Sequence, residues 1–302
     1  MQWIRKNKDI KFKKKKILVI GELIIDRSYN LSHIGESLET KNPKYFINNV
    51  KDELGGAGKV YQSLKTLIKN HSMFITSKYQ KSEIIKDKNI FYFNSKIINI
   101  IKNRYWENKK KLFQLNCDYK KKYLEKISFT NFALKKIKKN IDIIDSIIIA
   151  DYNHGLINNI MVTQIKKICK SKEIDIYVDK QIRNASEFSK YYFDLDYLVI
   201  NQLEFKLLKG KFKINGNIFN CLKKLKTKIK FKNIILKKGE KGSCMVNEKN
   251  KYFVSKNNSS KKVINTSGAG DHFLAMFVAL KNNLEPEKRL MLSNQWAKYN
   301  LK

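Results

Sequence analysis

Short, nearly continuous apolar runs recur along the chain, and each is stopped by glycine or a polar residue. Lys16-Ile17-Leu18-Val19-Ile20-Gly21 is the first, and Ser146-Ile147-Ile148-Ile149-Ala150 runs into Asp151. Ile174 to Val178 ends at Asp179, Tyr197 to Ile200 ends at Asn201, and Asn233 to Leu236 follows the same form. Runs of this length without alternation read as strands buried on both faces. Between them the apolar spacing turns helical, over Phe132 to Lys139, Asn158 to Lys170, Ile218 to Leu225, Gly270 to Lys281 and Pro286 to Lys298. An earlier helix, with Val60, Leu64, Leu67 and Ile68 on its apolar face, opens from Gly55-Gly56-Ala57-Gly58. Residues 72–118 predict β structure, with Ile97 to Ile101 and Leu112 to Leu115 as strands. From Asp26 to Glu53 the chain is mostly polar, with short alternating pieces such as Tyr45-Phe46-Ile47.

Strands separated by helices predict parallel pairing, hence an α/β, doubly wound, mainly parallel sheet flanked by helices. In such a sheet, ligands sit beyond the carboxyl ends of the strands. That rule alone singles out Asp26, Asp151, Asp179, and Asn201 with Glu204 as candidate functional residues.

Charge adds a rival. The 302 residues include 63 Lys+Arg against 27 Asp+Glu, a formal net charge of +36, enough to attract polyanions in a salt-sensitive way. The lysines, however, are spread in short runs, Lys13 to Lys16, Lys109 to Lys111, Lys120 to Lys122, and Lys223 with Lys224. No zinc finger, aromatic RNA-binding signature or basic zipper accompanies them, so a surface bias is expected and no specific nucleic-acid partner. Cys117, Cys169, Cys221 and Cys244 form no Cys-x-x-Cys pair, which argues for reduced thiols and against a zinc site. No apolar run reaches the 18 or so residues of a membrane span. Residues 1–16 read as a basic leader and the expected location is the cytoplasm, with no membrane partner.

The segment richest in chemistry is Asn265-Thr266-Ser267-Gly268-Ala269-Gly270-Asp271, which runs into an apolar helix. Glycines let the backbone approach a ligand closely. The unpaired amides of a first helical turn, with the helix dipole, make an anion site. A carboxylate in that turn either caps the helix or accepts a proton from an attacking hydroxyl during phosphoryl transfer.

These residues resemble the second signature of the ribokinase/PfkB carbohydrate kinases, usually Asp-Thr-x-Gly-Ala-Gly-Asp. The family's other motifs follow in order. Gly21 with Asp26 resembles its first strand and sugar-binding aspartate, and Gly55-Gly56-Ala57-Gly58 its hinge. Asp151-Tyr152-Asn153-His154-Gly155 resembles Asp-Tyr-x-Lys-Gly, Asn201-Gln202-Leu203-Glu204 matches Asn-x-x-Glu, and Gly239-Glu240-Lys241-Gly242 resembles the nucleotide turn. Ser37 to Pro43 and Lys102-Asn103-Arg104 are similar to the heptose-phosphate kinase branch, the kinase half of ADP-heptose-forming enzymes. No His-x-Gly-His motif of the nucleotidyltransferase half occurs, and relatives run on for about one further strand past the position of Lys302.

The resemblance implies a ribokinase-like domain over 17–302 with a small β-sheet lid built from segments of about 28–50 and 90–118. It implies ATP and Mg²⁺, with a monovalent cation such as K⁺ as a further candidate, and a sugar or sugar-phosphate acceptor, a heptose phosphate among them. It implies Asp271 as catalytic base and an anion hole at Gly268, Ala269 and Gly270. Asp26, Gly55, Gly56, Lys59, Lys102, Arg104 and Asp151 would bind the acceptor. Asn201, Glu204, Gly239 and Gly242 would serve nucleotide and Mg²⁺, with Glu204 reaching the metal through water. A homodimer through the lid is also implied. Four positions depart from the family pattern: Lys59 and Ser63 stand for asparagines, Asn265 for aspartate and His154 for lysine. These departures keep a second class open, a kinase fold retired to sugar or partner binding. The charge keeps a third, a basic nucleic-acid binder.

Overall fold

Ile17 to Ile20 sit at the centre of the molecule, and everything else is layered around the strand they form. The structure, a computed structural model, describes residues 10, 12, 16–77, 87–94, 100–117, 126–256, 268–281 and 284–301. The expected leader and Asn265 to Ser267 therefore lie almost wholly outside the described residues.

Nine strands form the large sheet. In chain order they are β1 (Lys16–Gly21), β4 (Ser72–Ser77), β5 (Ile90–Phe93), β8 (Ile144–Asp151), β9 (Asp175–Lys180), β10 (Tyr197–Asn201), β11 (Asn233–Lys237), β12 (Ser243–Val246) and β13 (Tyr252–Ser255). The four remaining strands, β2 (Leu23–Glu36), β3 (Pro43–Gly56), β6 (Ile100–Glu107) and β7 (Lys110–Cys117), form a separate sheet. The helices are α1 (Ala57–Ile68), α2 (Lys126–Asn140), α3 (Asn159–Ser171), α4 (Gln202–Lys211), α5 (Ile218–Ile229), α6 (Ala269–Ala279) and α7 (Pro286–Tyr299).

The large sheet runs β13-β12-β11-β10-β9-β8-β1-β4-β5. It is parallel from β11 to β5, and β12 and β13 are antiparallel additions at one edge. The apolar runs are continuous because each strand is covered twice. Leu18, Ile20, Ile147, Ile149, Ile176 and Val178 face a core closed by α2, α3, α4 and α5. Their neighbours Ile17, Val19, Ile148, Ala150 and Tyr177 face a second core under α1, α6 and α7. Alternation of period two survives, but both halves of it are apolar.

The chain leaves β1 toward β4 and β5, then returns to lay β8 on β1's other side. The order therefore reverses between β1 and β8, where an open α/β sheet forms its ligand crevice. Gly21 marks that point: a Cβ there would lie 2.0 Å from the Ala150 carbonyl oxygen.

The small sheet is ordered β3-β2-β6-β7 and includes two strands of 14 residues each, inside a stretch whose sequence shows only short alternating pieces. Its two faces differ. Asp26, Ser28, Lys51, Glu53, Lys102 and Arg104 share one face by register. Tyr29, Tyr105 and Phe113 stack in a row on the other, with centroids 4.6 and 4.5 Å apart. The sheet draws on 23–56 and 100–117, whereas Ile90–Phe93 pairs with β4 in the large sheet. Phe91 and Phe93, packed on the α2 core, hold it there. Of the expected strand Ile97 to Ile101, residues 97–99 lie outside the described residues, and β6 continues from Ile100 to Glu107.

Ile149, fully buried between β1 and β9, tests the double cover. Ile149→Ala should lower stability by about 2–5 kcal/mol through the cavity it leaves. A urea titration should show an earlier midpoint at unchanged slope.

Candidate active site

At the start of α6, Gly268 takes a left-handed conformation (φ +83°) and serves as N-cap. The first intrahelical bond runs from the His272 amide to the Gly268 carbonyl at 3.0 Å. The amides of Ala269, Gly270 and Asp271 thus have no partner within the helix, the condition for an anion site. Both glycines are packed by lysine stems. A Cβ on Gly268 would come 3.0 Å from Lys59 Cε, and one on Gly270 would come 3.1 Å from Lys237 Nζ.

Asp271 stands in that first turn, half-buried. The Tyr152 hydroxyl donates to its Oδ1 at 2.5 Å. Burial, then the charge of Asp179, raises its pKa to about 7, while Tyr152 and Lys237 oppose the rise. Tyr152 is pushed well above the usual phenol range by its own burial and by Asp271, so it remains a donor. A half-buried carboxylate with its pKa near neutrality, oriented by one donor, is suited to take a proton from a hydroxyl.

The small sheet brings its polar face to this corner. Arg104 Nη1 lies 2.8 Å from Asp26 Oδ1, yet no donor among the described residues is aligned for a hydrogen bond to that buried oxygen. Gly55 makes room for the carboxylate, since a Cβ there would meet Asp26 Oδ2 at 2.7 Å. Gly56, at φ +56°, turns the chain from β3 into α1. Lys102 is half-buried, 5.8 Å above the Tyr152 ring, and its pKa is lowered by burial despite Asp26 and Asp271. The Lys59 side chain is 13% exposed and pairs with Glu53 at 3.4 Å. Beside these residues opens a cavity of about 490 Å³, lined by Asp26, Glu53, Lys59, Arg104, Ser63 and His272, among others.

Ser63 links His272 to Trp296. Trp296 Nε1 donates to the Ser63 hydroxyl at 2.9 Å, and the same oxygen lies 3.0 Å from His272 Nδ1, within hydrogen-bond distance. Burial and Lys59 push the His272 pKa down to about 4.

Asn201 and Glu204 form a capping box on α4: the Glu204 amide donates to Asn201 Oδ1 at 2.9 Å, and the Asn201 amide to Glu204 Oε2 at 2.8 Å. Glu204 is buried rather than exposed, and its pKa rises to about 6 through burial, with Lys237 opposing. Gly239 (φ +59°) and Gly242 (φ +83°) shape the turn joining β11 to β12, just beyond Lys237.

Asp151 is placed differently from the rest. Its carboxylate is buried against Lys180 at 3.0 Å, the Tyr192 hydroxyl and the Asn153 amide at 2.8 Å. Glu22, next after β1, accepts the amides of Tyr152 (2.9 Å) and Leu156 (3.2 Å), with its pKa raised to about 7 by burial and Asp151. Asp151 and Glu22 therefore brace the loop that carries Tyr152.

Two side chains at this corner were given no role by the sequence: Tyr152, met only as a letter of a motif, and Lys237, which lies outside the motifs. Tyr152 is the first residue after β8 and Lys237 the last of β11, a signal available for both. Lys237 was hidden by the abundance of lysine.

Residues 121–298, more than half of the chain, match the model of the pfkB family carbohydrate kinases. The chain belongs to that family. An uncharacterized sugar kinase of Buchnera aphidicola subsp. Schizaphis graminum is 26% identical over 282 residues, covering 91% of this chain and 86% of that protein. The bifunctional protein HldE of Aliarcobacter butzleri is 26% identical over 301 residues, 93% of this chain but 60% of HldE. The chain thus spans well under two thirds of the bifunctional relative. Among solved structures, ribokinase from Thermotoga maritima has a TM-score of 0.70 at 19% identity, covering 94% of this chain and 91% of that one. Arabidopsis thaliana ribokinase complexed with ribose and ATP has a TM-score of 0.67 at 13% identity, covering 94% and 92%. At these identities the solved structures show a shared ribokinase-like fold.

Removing the Tyr152 hydroxyl isolates its effect on this pfkB-family site. Tyr152→Phe should move the Asp271 titration upward from about 7, because the donor that favours the carboxylate is gone. Carboxyl carbon NMR would read the midpoint, and an unchanged value would remove Tyr152 from the site's electrostatics.

Proposed function

We propose that this carbohydrate-kinase-family chain transfers the γ-phosphoryl group of ATP to a hydroxyl of a sugar or sugar phosphate, a heptose phosphate being one candidate. The observation that carries the reading is a half-buried carboxylate, Asp271, in the same helical turn as three amides that have no partner within the helix. Asp26 and Lys102 act on its charge from the small sheet, with Arg104 paired to Asp26, and that sheet would close over the acceptor as a lid.

In the proposed reaction the acceptor hydroxyl gives its proton to Asp271, and its oxygen bonds to the γ-phosphorus. The bond from that phosphorus to the β–γ bridging oxygen breaks, and ADP leaves with the electron pair. The proton on Asp271 is then released to solvent. The α6 amides stabilise charge on the moving phosphoryl group. Asp26 Oδ1 accepts from a second acceptor hydroxyl and fixes its orientation, and Lys59, Lys102 and Arg104 favour an acceptor that carries negative charge.

The donor set suits a magnesium ion held mostly by phosphate oxygens and water: Glu204 and Asp179 are hard oxygen donors, and no cluster among the described residues could cage a metal by itself. Bound there through water by Glu204, Mg²⁺ supplies charge neutralisation for the phosphates.

The apolar face of the small sheet supports a second element of the proposal, pairing with another copy of the chain. Ile47, Val50, Phe113 and Leu115 are 49, 47, 46 and 52% exposed around the Tyr29–Tyr105–Phe113 stack. Such a contiguous patch on an otherwise charged molecule marks an interface. No helix among the described residues is long and apolar enough to cross a membrane, and the cytoplasm is the proposed location.

ATP consumption against a panel of sugars and sugar phosphates tests the activity, and consumption with none would favour a retired binding module. With an active acceptor, kcat/KM should fall as pH drops below about 7, since protonation removes the base. Asp271→Asn should cut turnover by about 10³-fold or more while nucleotide binding changes little. A variant retaining most of its rate would refute the base assignment. Sedimentation should show a dimer that Val50→Lys with Phe113→Glu converts to monomer; a monomeric wild type would sink the pairing.

A further inference from the structure

Lys237 is the last residue of β11, paired in register with Asn201 at the end of β10. Its side chain reaches past β10 to β9, where Nζ lies 3.1 Å from Asp179 Oδ1. The same Nζ lies 3.1 Å from where a Gly270 Cβ would be, so the ammonium rests against the first turn of α6. Only 16% of the side chain is exposed. An ammonium carries three donors, and among the described residues Asp179 is the one acceptor hydrogen-bonded to it.

A lysine in this place needs a reason. Burial opposes its charge, and Asp179, Glu204 and Asp271 keep it protonated. As a salt bridge alone it would be a weak source of stability, because desolvation offsets most of the attraction. Asp179 anchors one donor and leaves the charge beside the turn whose amides would receive a phosphoryl group. Gly270 completes the arrangement, since any side chain there would press on the ammonium.

We propose that Lys237 is a phosphate-binding residue of the transfer site, with Asp179 as its positioning residue and Gly270 as the gap that admits it. The proposal rests on the kinase reading and deepens it. In the resting protein the ammonium neutralises Asp179. With ATP bound, its remaining donors take oxygens of the terminal phosphate, while Asp179 holds the third. The cation rests against Gly270, while Lys59, whose partner is Glu53, rests against Gly268. It also shields Asp271 from Asp179, which keeps the base from being held protonated. The groups facing Asp271 in this account are Tyr152, Asp179, Lys237, Asp26 and Lys102.

Lys237→Met in the full chain keeps the stem and removes the charge. Calorimetric titration with a non-hydrolysable ATP analogue and Mg²⁺ should show affinity reduced by about tenfold or more, the loss of a charge-assisted hydrogen bond. Adenosine affinity should stay unchanged. With the best acceptor from the panel, kcat should fall by about 10²–10³-fold. Acceptor KM should change little, and the acid limb of the rate profile should move up from about 7. Asp179→Asn, which frees the anchor but keeps the shape, should weaken analogue binding by a smaller factor and serves if the methionine variant does not fold. Wild-type affinity, rate and pH profile in a folded Lys237→Met protein would overturn the role of Lys237. A wild-type chain that binds no ATP analogue would instead overturn the kinase reading itself.

Discussion

Charge balance among a few enclosed side chains governs this molecule. Asp271, Asp179 and Glu204 converge at the carboxyl edge of the large sheet, where burial penalises the negative charges of Asp271 and Glu204. Lys237 and the Tyr152 hydroxyl are the counterweights: one supplies a positive charge, the other a fixed donor. The balance leaves Asp271 near neutrality rather than locked in either state. Every element around it is arranged to hold those partners still. Glu22 grips the amides of Tyr152 and Leu156, the Asn201–Glu204 box fixes the start of α4, and β11 delivers Lys237 across β10.

The same reasoning changes the meaning of the basic composition. Most lysines among the described residues are not buried, and lysine dominates the net charge of +36. A minority are internal. Lys180 is 2% exposed against Asp151, Lys281 is 8% exposed between Asp145 and Asp175, and Lys237 meets Asp179. In a chain with so many lysines, composition hides these structural cations, because an internal lysine looks like any other until its carboxylate is seen.

Legibility followed burial symmetry. The apolar runs at 17–20, 146–150, 174–178, 197–200 and 233–236 all lie within strands or within a residue of one, since doubly covered strands carry their signal without alternation. The long strands β2 and β3 were read only as scattered pieces. Their sheet turns one face to a polar site and leaves the other uncovered, so neither face shows a continuous apolar stripe. The edge strands β12 and β13 went unread for a related reason. They are four residues each, too short for a period to register. Helix α4 showed itself only through Glu204, because its three buried residues are too few to mark a face.

By itself the sequence determined the layering, the parallel sheet, the order of its motifs and the turn that ends in Gly-Ala-Gly-Asp, since each depends on neighbours in the chain or on local periodicity. Only the tertiary structure decided which side chains act on one another. It took Asp151 out of the corner and into a buried pair with Lys180, put Tyr152 on Asp271, and brought Lys237 to Asp179 across 58 positions of sequence. Such partnerships depend on where strand ends meet in space, and electrostatic energy follows that distance, not separation along the chain.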